Sequence, residues 1–350
     1  MTSPRDADLL DAALTRLHAF DTEYDDGMSN HGPMAAEALL NLGAPEHIEP
    51  FLDGYVEVLR APESAVTLPE GDWRRGLGRP AAAAALVEIF DRQLQQDDPR
   101  RVLAQMLPEL APGVVSAAFH GLLRTGHAYR AWTQRDSAPR RTELAHGLAH
   151  WVSRFQQLPG QPGRRAVPGQ GPAEALTAVP VLDPSERNGA GMIMDRFSVL
   201  RDRADFVDAV EAFDPEAMPP HEALDELISV AARLYLGSAG RPQFVYLHGI
   251  TSTAALRLLL PALPEPEQRR IVAHQVAALA AVHATHGEPG ALEWPFESSA
   301  VDPQAVARLA TVSDDDHTIK LVEACLREHR RSGRPELLAA AAYRVGIDLG

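Results

Sequence analysis

Residues 119–128 read Phe-His-Gly-Leu-Leu-Arg-Thr-Gly-His-Ala and lie in a longer segment, 113–132, whose spacing of apolar residues predicts an α-helix. His120, Arg124 and His127 are spaced i, i+4 and i+7 and share one face of this helix. An imidazole among apolar neighbours is costly to bury unless something binds it. We therefore predict that His120 is a ligand and that Arg124 and His127 line a cavity. The alternative is a polar helix face with Arg124 in solvent.

Helical patterns of this kind recur along the whole chain, and each is bounded by Pro, Gly, Ser or Asp. Only residues 64–68 resemble a strand. The sequence therefore predicts an all-α fold, a compact multi-helix bundle. The first predicted helix follows the Ser3-Pro4 cap, and the second lies between Asn30 and Gly43. The others cover 81–96, 98–108, 113–132, 138–157, 202–213, 219–236, 243–262, 264–286, 301–311, 314–331 and 334–346.

One segment, residues 158–172, differs from the rest because it is dense in Pro and Gly, which is typical of a connector or flexible loop. We predict a single all-helical domain over residues 1–350. It would have two lobes, about 1–157 and 173–350, joined by this loop.

Composition excludes several classes of protein. The chain has 350 residues and a formal net charge of -15, which argues against nucleic-acid and anionic membrane partners. Its one cysteine, Cys325, excludes a disulfide framework and a cysteine-rich metal site. The amino-terminal residues predict an amphipathic helix rather than a signal peptide, and no apolar stretch predicts a transmembrane helix. We expect a cytoplasmic protein, and the sequence predicts no oligomeric state.

Four histidines stand in separate apolar helical segments: His31, His120, His248 and His317. Two precede the loop and two follow it. Neutral imidazole is the commonest protein ligand for zinc, copper, iron and nickel. The four residues therefore predict one histidine-rich metal centre, assembled from distant segments and lying between the two lobes.

Each of these histidines also has an ordinary interpretation. His248 suits a core histidine whose ring is hydrogen-bonded to a carbonyl, and His31 suits a solvated helix start. His317 and Lys320, spaced i and i+3, point the same way on a helix, yet Lys320 equally suits a surface cation and Asp316 an acid that favours the helix start.

The remaining histidines are weaker candidates. His146 and His150 are spaced i and i+4 and could chelate a metal, but their polar companions indicate a partly exposed helix. His283 and His286 lie near a helix end, where the helix dipole favours cations. The histidines in polar contexts are interpreted as surface residues: His18, His47, His221 and His329. The sequence contains no Rossmann fingerprint, P-loop, Gly-x-Ser-x-Gly elbow or His-Glu-x-x-His motif.

The four histidine segments occur in the same order as motifs of a known family. Over about residues 15–330 the chain resembles the questin oxidase-like family. The segments that carry this resemblance are Asn30-His31-Gly32-Pro33-Met34, His120-Gly121-Leu122-Leu123-Arg124-Thr125-Gly126-His127-Ala128, Tyr246-Leu247-His248-Gly249-Ile250-Thr251 and Asp316-His317-Thr318-Ile319-Lys320.

The resemblance implies oxidative cleavage of an anthraquinone-like ring of an aromatic polyketide with dioxygen. It implies non-haem Fe(II) held by the four histidines, with a carboxylated Lys320 as a further ligand. Arg124 and His127 are the predicted catalytic residues: Arg124 would hold a phenolate or quinone oxygen, and His127 would lie beside the metal ligands. Two alternatives stay open. One is a metal-independent monooxygenase of the Baeyer–Villiger type that uses NADPH and dioxygen, and the other is a non-catalytic polyketide-binding helical protein.

Overall fold

The computed structural model describes residues 3–25, 27–62, 66–69, 71–188, 192–238, 243–288 and 301–349. These residues form sixteen α-helices and one two-stranded antiparallel hairpin, in which β1 (Glu23–Tyr24) pairs with β2 (Met28–Ser29). The helices are α1 Pro4–Leu17, α2 Gly32–Asn41, α3 Ile48–Tyr55, α4 Ala83–Gln96, α5 Pro99–Leu110, α6 His120–Gln134, α7 Ala138–Ser153, α8 Pro172–Ala178, α9 Ile193–Arg196, α10 Ala204–Ala212, α11 Pro220–Gly237, α12 Gln243–Leu259, α13 Glu265–His286, α14 Pro303–Thr311, α15 Asp316–Ser332 and α16 Pro335–Arg344.

The predicted all-α fold is confirmed, and each predicted helix has a counterpart. The helices α3, α8 and α9 and the hairpin were not predicted, because all four are short; α3 spans only eight residues, although its apolar residues keep a helical spacing. Of the predicted strand 64–68, residues 64 and 65 lie outside the described residues, and 66–68 form no strand. Residues 158–171 form no helix or strand, as predicted for a connector, whereas the division into two lobes stays a prediction.

The helix that starts at His120 begins seven residues later than predicted from the apolar pattern. Its start is displaced because three consecutive residues adopt left-handed backbone angles: φ is 50° at Ala117, 51° at Ala118 and 72° at Phe119. L-amino acids with a Cβ pay about 1–2 kcal/mol each for this region. We call residues 117–119 the left-handed turn. The chain changes direction at this turn, and His120 points into the interior.

Four helices form the centre of the fold: α6 packs against α2 and α12, and α15 packs against α2 and α12. A glycine permits one of these close approaches, because a Cβ built on Gly126 of α6 would lie 2.8 Å from the carbonyl oxygen of Ala255 on α12. A main hydrophobic core surrounds these helices, and a second, smaller core lies under α1, α2 and α3. Among the described residues, no helix has both the length and the apolar character needed to cross a bilayer.

Candidate metal centre

The four histidines predicted as ligands lie together in the structure. His31 directly precedes α2, His120 begins α6, His248 lies in α12, and His317 lies in the first turn of α15. The ring centroid of His31 is 4.5 Å from that of His120 and 4.7 Å from that of His317. The ring of His248 is 4.9 Å from that of His120 and 5.5 Å from that of His317. We call these four residues the histidine cluster.

The Nδ1 atoms of the cluster all point away from its centre. His120 Nδ1 is 2.6 Å from the carbonyl oxygen of Ala117, in the left-handed turn, and His248 Nδ1 is 2.9 Å from that of Phe244. A carbonyl oxygen only accepts hydrogen bonds, so each of these Nδ1 atoms carries the proton and donates it. In a neutral ring, Nε2 then keeps a lone pair. The backbone therefore sets the tautomer that metal ligation needs.

Asp316 lies against the Nδ1 atoms of the other two histidines and accepts a hydrogen bond from that of His31. Its Oδ1 atom lies 2.6 Å from His31 Nδ1, 3.0 Å from His317 Nδ1 and 3.0 Å from Lys320 Nζ. Burial raises the pKa of Asp316, but Lys320 and His31 outweigh it and hold that pKa below its usual range. The carboxylate therefore stays ionised and orients two rings at once.

The Nε2 atoms of all four histidines are buried and have no hydrogen-bond partner among the described residues. Burial, followed by the charge of Lys320, lowers the pKa of His31 to about 3. Burial also lowers the pKa of His120 and of His248 well below the usual value. The rings of His31, His120 and His248 are therefore neutral at pH 7 and offer lone pairs. An unsatisfied buried acceptor costs about 1–3 kcal/mol, which a bound cation would offset.

Three of the histidines are close enough to share one ion. The ligand atoms of His31, His120 and His317 lie within 4.8 Å of one another, whereas His248 lies beside this set but outside it. All four line one pocket of about 330 Å³. A larger pocket of about 510 Å³, beside the Pro- and Gly-rich segment, contains none of the four. We place the chemistry in the smaller pocket because unpartnered imidazole nitrogens converge there.

Comparison with known families gives one match. The model of the family described as questin oxidase-like matches residues 28–325, a span that includes all four histidines. The chain belongs to the questin oxidase-like family. A search of the curated proteins finds no significant match. Membership in the questin oxidase-like family indicates an oxidase.

Two residues predicted to be catalytic in this questin oxidase-like protein do not line the pocket. Arg124 is buried and forms a two-point ion pair with Glu143, with its Nε 2.6 Å and Nη2 3.0 Å from the two carboxylate oxygens. His127 Nδ1 lies 2.7 Å from Glu37 Oε2. The structure therefore gives both side chains partners within the helix bundle and leaves them without access to a substrate in this pocket.

Lys320, predicted as a carboxylated ligand, is also absent from the pocket lining. Its side chain is buried, and burial lowers its pKa. Its amine contacts Asp316 rather than the centre of the cluster. As an amine, Lys320 reaches the centre only through that carboxylate.

His127 belongs to a second group, which we call the charged clamp: Glu37, His127, Arg130, Glu323 and Arg327. Arg130 Nε lies 2.5 Å from Glu37 Oε1, and Arg130 Nη1 lies 2.6 Å from Glu323 Oε1. Arg327 Nη1 lies 2.7 Å from Glu323 Oε2. Burial raises the pKa of Glu37, but Arg130 and His127 hold it below its usual range. Two buried carboxylates and two guanidinium groups therefore compensate each other.

Two interpretations of weaker histidines were wrong. His146 and His150 are both buried. The polar residues near them in sequence form ion pairs, as Arg140 does with Asp11 and Glu143 with Arg124. His18, interpreted as a surface residue, is largely buried, stacks on His146 with ring centroids 4.8 Å apart, and lies 3.1 Å from Glu143 Oε2. Polar neighbours in sequence therefore did not indicate exposure.

Sequence reasoning missed several residues of the pocket wall. Ser29 Oγ lies 3.0 Å from His150 Nε2, and Arg154 Nε lies 2.6 Å from Glu23 Oε1. Phe244 presents an aromatic ring at 45% exposure, 5.0 Å from the ring of His248. Only Phe244 carried a sequence signal, since it lies one helical turn before His248. The others depend on the hairpin and on the end of α7.

Proposed function

We propose that the protein is a non-haem iron-dependent oxygenase that cleaves a ring of an aromatic, anthraquinone-like polyketide with dioxygen. Family membership supports the oxidase class and the aromatic polyketide substrate. The observation that carries the proposal is the convergence of four unpartnered, buried Nε2 atoms on one pocket.

The residues present suit a transition-metal ion. Neutral imidazoles with their Nδ1–H groups fixed by a carbonyl or a carboxylate are typical of metal ligands. His31, His120 and His317 would hold the ion, with His248 as a fourth ligand. Iron, when bound, would supply the redox chemistry with dioxygen. Because backbone carbonyl groups accept from Nδ1 of His120 and of His248, the tautomer of these two rings is set without an ion.

The pocket wall is suited to a flat, partly apolar substrate with an acidic oxygen. Phe244, Met28 and Met192 are among the few exposed large apolar side chains, and all three line this pocket. Aromatic rings pack favourably against such side chains. Arg154 also lines the pocket, with 33% of its side chain exposed. In this proposal its guanidinium group, rather than that of Arg124, binds a phenolate oxygen.

Metal content and oxygen uptake test the proposal together. Untagged protein, loaded anaerobically with iron and freed of excess, is expected to retain close to one iron per chain and to consume oxygen with a hydroxyanthraquinone. His120→Ala and His317→Ala should each lose both properties. The matched control is His221→Ala, because the His221 side chain is 65% exposed and does not line the pocket. Full iron and full turnover in both cluster variants would contradict the proposal.

The other outcomes identify the alternatives. Turnover with NADPH in metal-free protein would indicate the metal-independent monooxygenase, and tight anthraquinone binding without oxygen uptake would indicate a binding protein. Carboxylation of Lys320 stays a prediction. Incubation with isotopically labelled bicarbonate, followed by NMR of the intact protein, tests it.

A further inference from the structure

The charged clamp lies on three of the four helices that carry the histidine cluster, namely α2, α6 and α15. Glu37 is six residues after His31, and Glu323 is six residues after His317. On α6, Arg130 is ten residues after His120. The two groups are therefore two layers of one helical assembly.

The fourth helix joins the clamp through its backbone. Arg327 Nη2 lies 3.3 Å from the carbonyl oxygen of Ala254, which is six residues after His248 on α12. In α2, α6 and α15 the histidine comes first and the clamp residues follow. In α12 His248 comes first and Ala254 follows. The four helices therefore run in the same direction. At 1.5 Å per residue, six residues separate the layers by about 9 Å along the axes.

Arg130 is the residue that connects the clamp across helices. Its Nε and Nη2 atoms bind both oxygens of Glu37 on α2, and its Nη1 atom binds Glu323 on α15. A planar guanidinium group fixes the distance and the angle between the groups it bridges, and an ammonium group does not. Glu37 in turn accepts from His127 of α6, at 2.7 Å, so this contact also fixes the rotation of α2 against α6.

We propose that Arg130 is a positioning residue that sets the spacing of α2, α6 and α15 and thereby the spacing of the Nε2 atoms of His31, His120 and His317. Its guanidinium group does not line the pocket of the histidine cluster and acts through the helices. The part of this proposal that concerns metal affinity rests on the proposed function.

Cobalt(II) titration tests the proposal, because the visible absorption bands of bound cobalt report the coordination geometry. The test variant is Arg130→Lys, which keeps the charge and loses the two-sided bridge. We expect its cobalt affinity to fall about 10- to 100-fold, the range usual for residues that orient metal ligands. We also expect its absorption bands to shift. Wild-type affinity with wild-type bands would overturn the proposal.

The matched control is Arg140→Lys. Arg140 is as fully buried as any arginine of the chain that the structure describes, and binds Asp11 together with the carbonyl oxygens of Ala7 and Ala131. It ties α7 to α1 and α6 and does not join two of the four helices. It should lose thermal stability like Arg130→Lys while its cobalt affinity stays at the wild-type value. An equal loss of affinity in both variants would show a general effect of stability and overturn the proposal.

Hydrogen exchange of the metal-free proteins gives a second, metal-independent reading. Arg130→Lys should speed amide exchange in the first turns of α2, α6 and α15, and Arg140→Lys should not. If wild-type protein binds no cobalt, the proposed function fails, while faster exchange at these three helix starts still supports the positioning role and unchanged exchange refutes it. If Arg130→Lys does not fold, the double variant Glu37→Gln and Arg130→Met takes its place, because it removes one negative and one positive charge and leaves Glu323 paired with Arg327.

Discussion

The histidine cluster and the charged clamp share three helices, and the clamp also contacts the fourth, yet the polar atoms of the two groups have opposite surroundings. In the clamp, Glu37 and Glu323 accept hydrogen bonds at both oxygens from Arg130 and Arg327. In the cluster, four buried Nε2 atoms have no partner among the described residues. Folding alone satisfies the clamp. The cluster is satisfied only when something from outside the chain binds it.

The difference shows how to separate support from function in this molecule. Buried polar groups that are fully paired stabilise a single arrangement of the helices, and removing one partner is costly. Buried polar groups that are left unpaired cost stability, and a bound ion or a catalytic role is one explanation for their presence. The same substitution is therefore expected to have opposite effects in the two layers.

The largest effect should come from removing a charge from the clamp. Arg130→Met leaves the carboxylates of Glu37 and Glu323 partly uncompensated, and we expect the free energy of unfolding to fall by about 3–5 kcal/mol. Chemical denaturation of the metal-free protein measures it. Arg16→Met, which removes an exposed ion pair with Glu49 and Asp53, is the control and should change little. Equal losses would erase the distinction between the layers.

Pushing two helices apart near the clamp should have the next largest effect. Gly126→Ala places a methyl group 2.8 Å from the Ala255 carbonyl oxygen, so α6 and α12 must separate. We expect a loss of about 1–3 kcal/mol, measured by denaturation. Gly54→Ala in α3 meets open space and should stabilise by about 0.5–1 kcal/mol. A neutral result for Gly126→Ala would mean that the helix contact is not tight.

Acid should affect buried histidines before it affects paired carboxylates. Burial, followed by Arg124, lowers the pKa of His150 to about 3. In an unfolded chain the pKa of histidine is about 6.5. Between this pKa and that of the folded state, the folded protein binds fewer protons than the unfolded chain. Stability is therefore full above about pH 6.5 and falls by about 1.4 kcal/mol per pH unit for each such histidine as the pH drops.

Carboxylates extend the same loss to lower pH. Burial raises the pKa of Glu143, but Arg124 and His18 outweigh it and hold that pKa at about 2. Its contribution is complete above about pH 4.3 and is lost as the pH falls toward the folded value. As the pH is lowered, the melting temperature should begin to decline near neutrality and should decline more steeply once the carboxylates are protonated. A constant melting temperature down to about pH 4.3 would contradict the neutral state of the buried histidines.

Removing a cluster histidine should have a small effect of the opposite sign. His248→Leu deletes a buried nitrogen without a partner, and we expect the metal-free protein to gain about 1 kcal/mol in the free energy of unfolding. The same variant should bind iron more weakly. Denaturation and metal analysis of one preparation measure both changes. A loss of stability comparable to that of Arg130→Met would show that the cluster supports the fold.

The smallest effect should come from relieving strain in the left-handed turn. Ala118 has φ of 51°, and glycine adopts this angle freely, so Ala118→Gly should gain up to about 1 kcal/mol in thermal denaturation. Ala173→Gly, in the first turn of α8, is the control and is expected to lose stability instead. A loss in Ala118→Gly as well would mean that the turn carries no strain.

The helices and the four histidines could be predicted from the sequence because each depends on local pattern. Apolar residues at helical spacing surround His120 and His248, and no acidic neighbour explains their burial. The family resemblance was likewise carried by short, ordered segments and is confirmed over residues 28–325.

The partners of charged residues could not be predicted, because they come from distant parts of the chain. Arg124 has Glu143 nineteen residues away, and Arg130 has Glu323 at a separation of 193 residues. Arg154 of the pocket wall pairs with Glu23, which lies 131 residues away. No periodicity within one segment reports such a pair. The left-handed turn is hidden for a different reason, since Ala117 and Ala118 are good helix formers.

The common direction of the four helices also has a consequence for how the chain folds. Parallel neighbours cannot be joined by short turns, so the chain must return to the same end of the bundle before each new helix begins. His31 and Asp316, which meet in one hydrogen bond, are 285 residues apart in sequence. Contacts of such long range form late and slow folding. The lone pairs of the cluster therefore converge only in the nearly complete fold, and an ion that requires all of them would bind only to molecules that have finished folding.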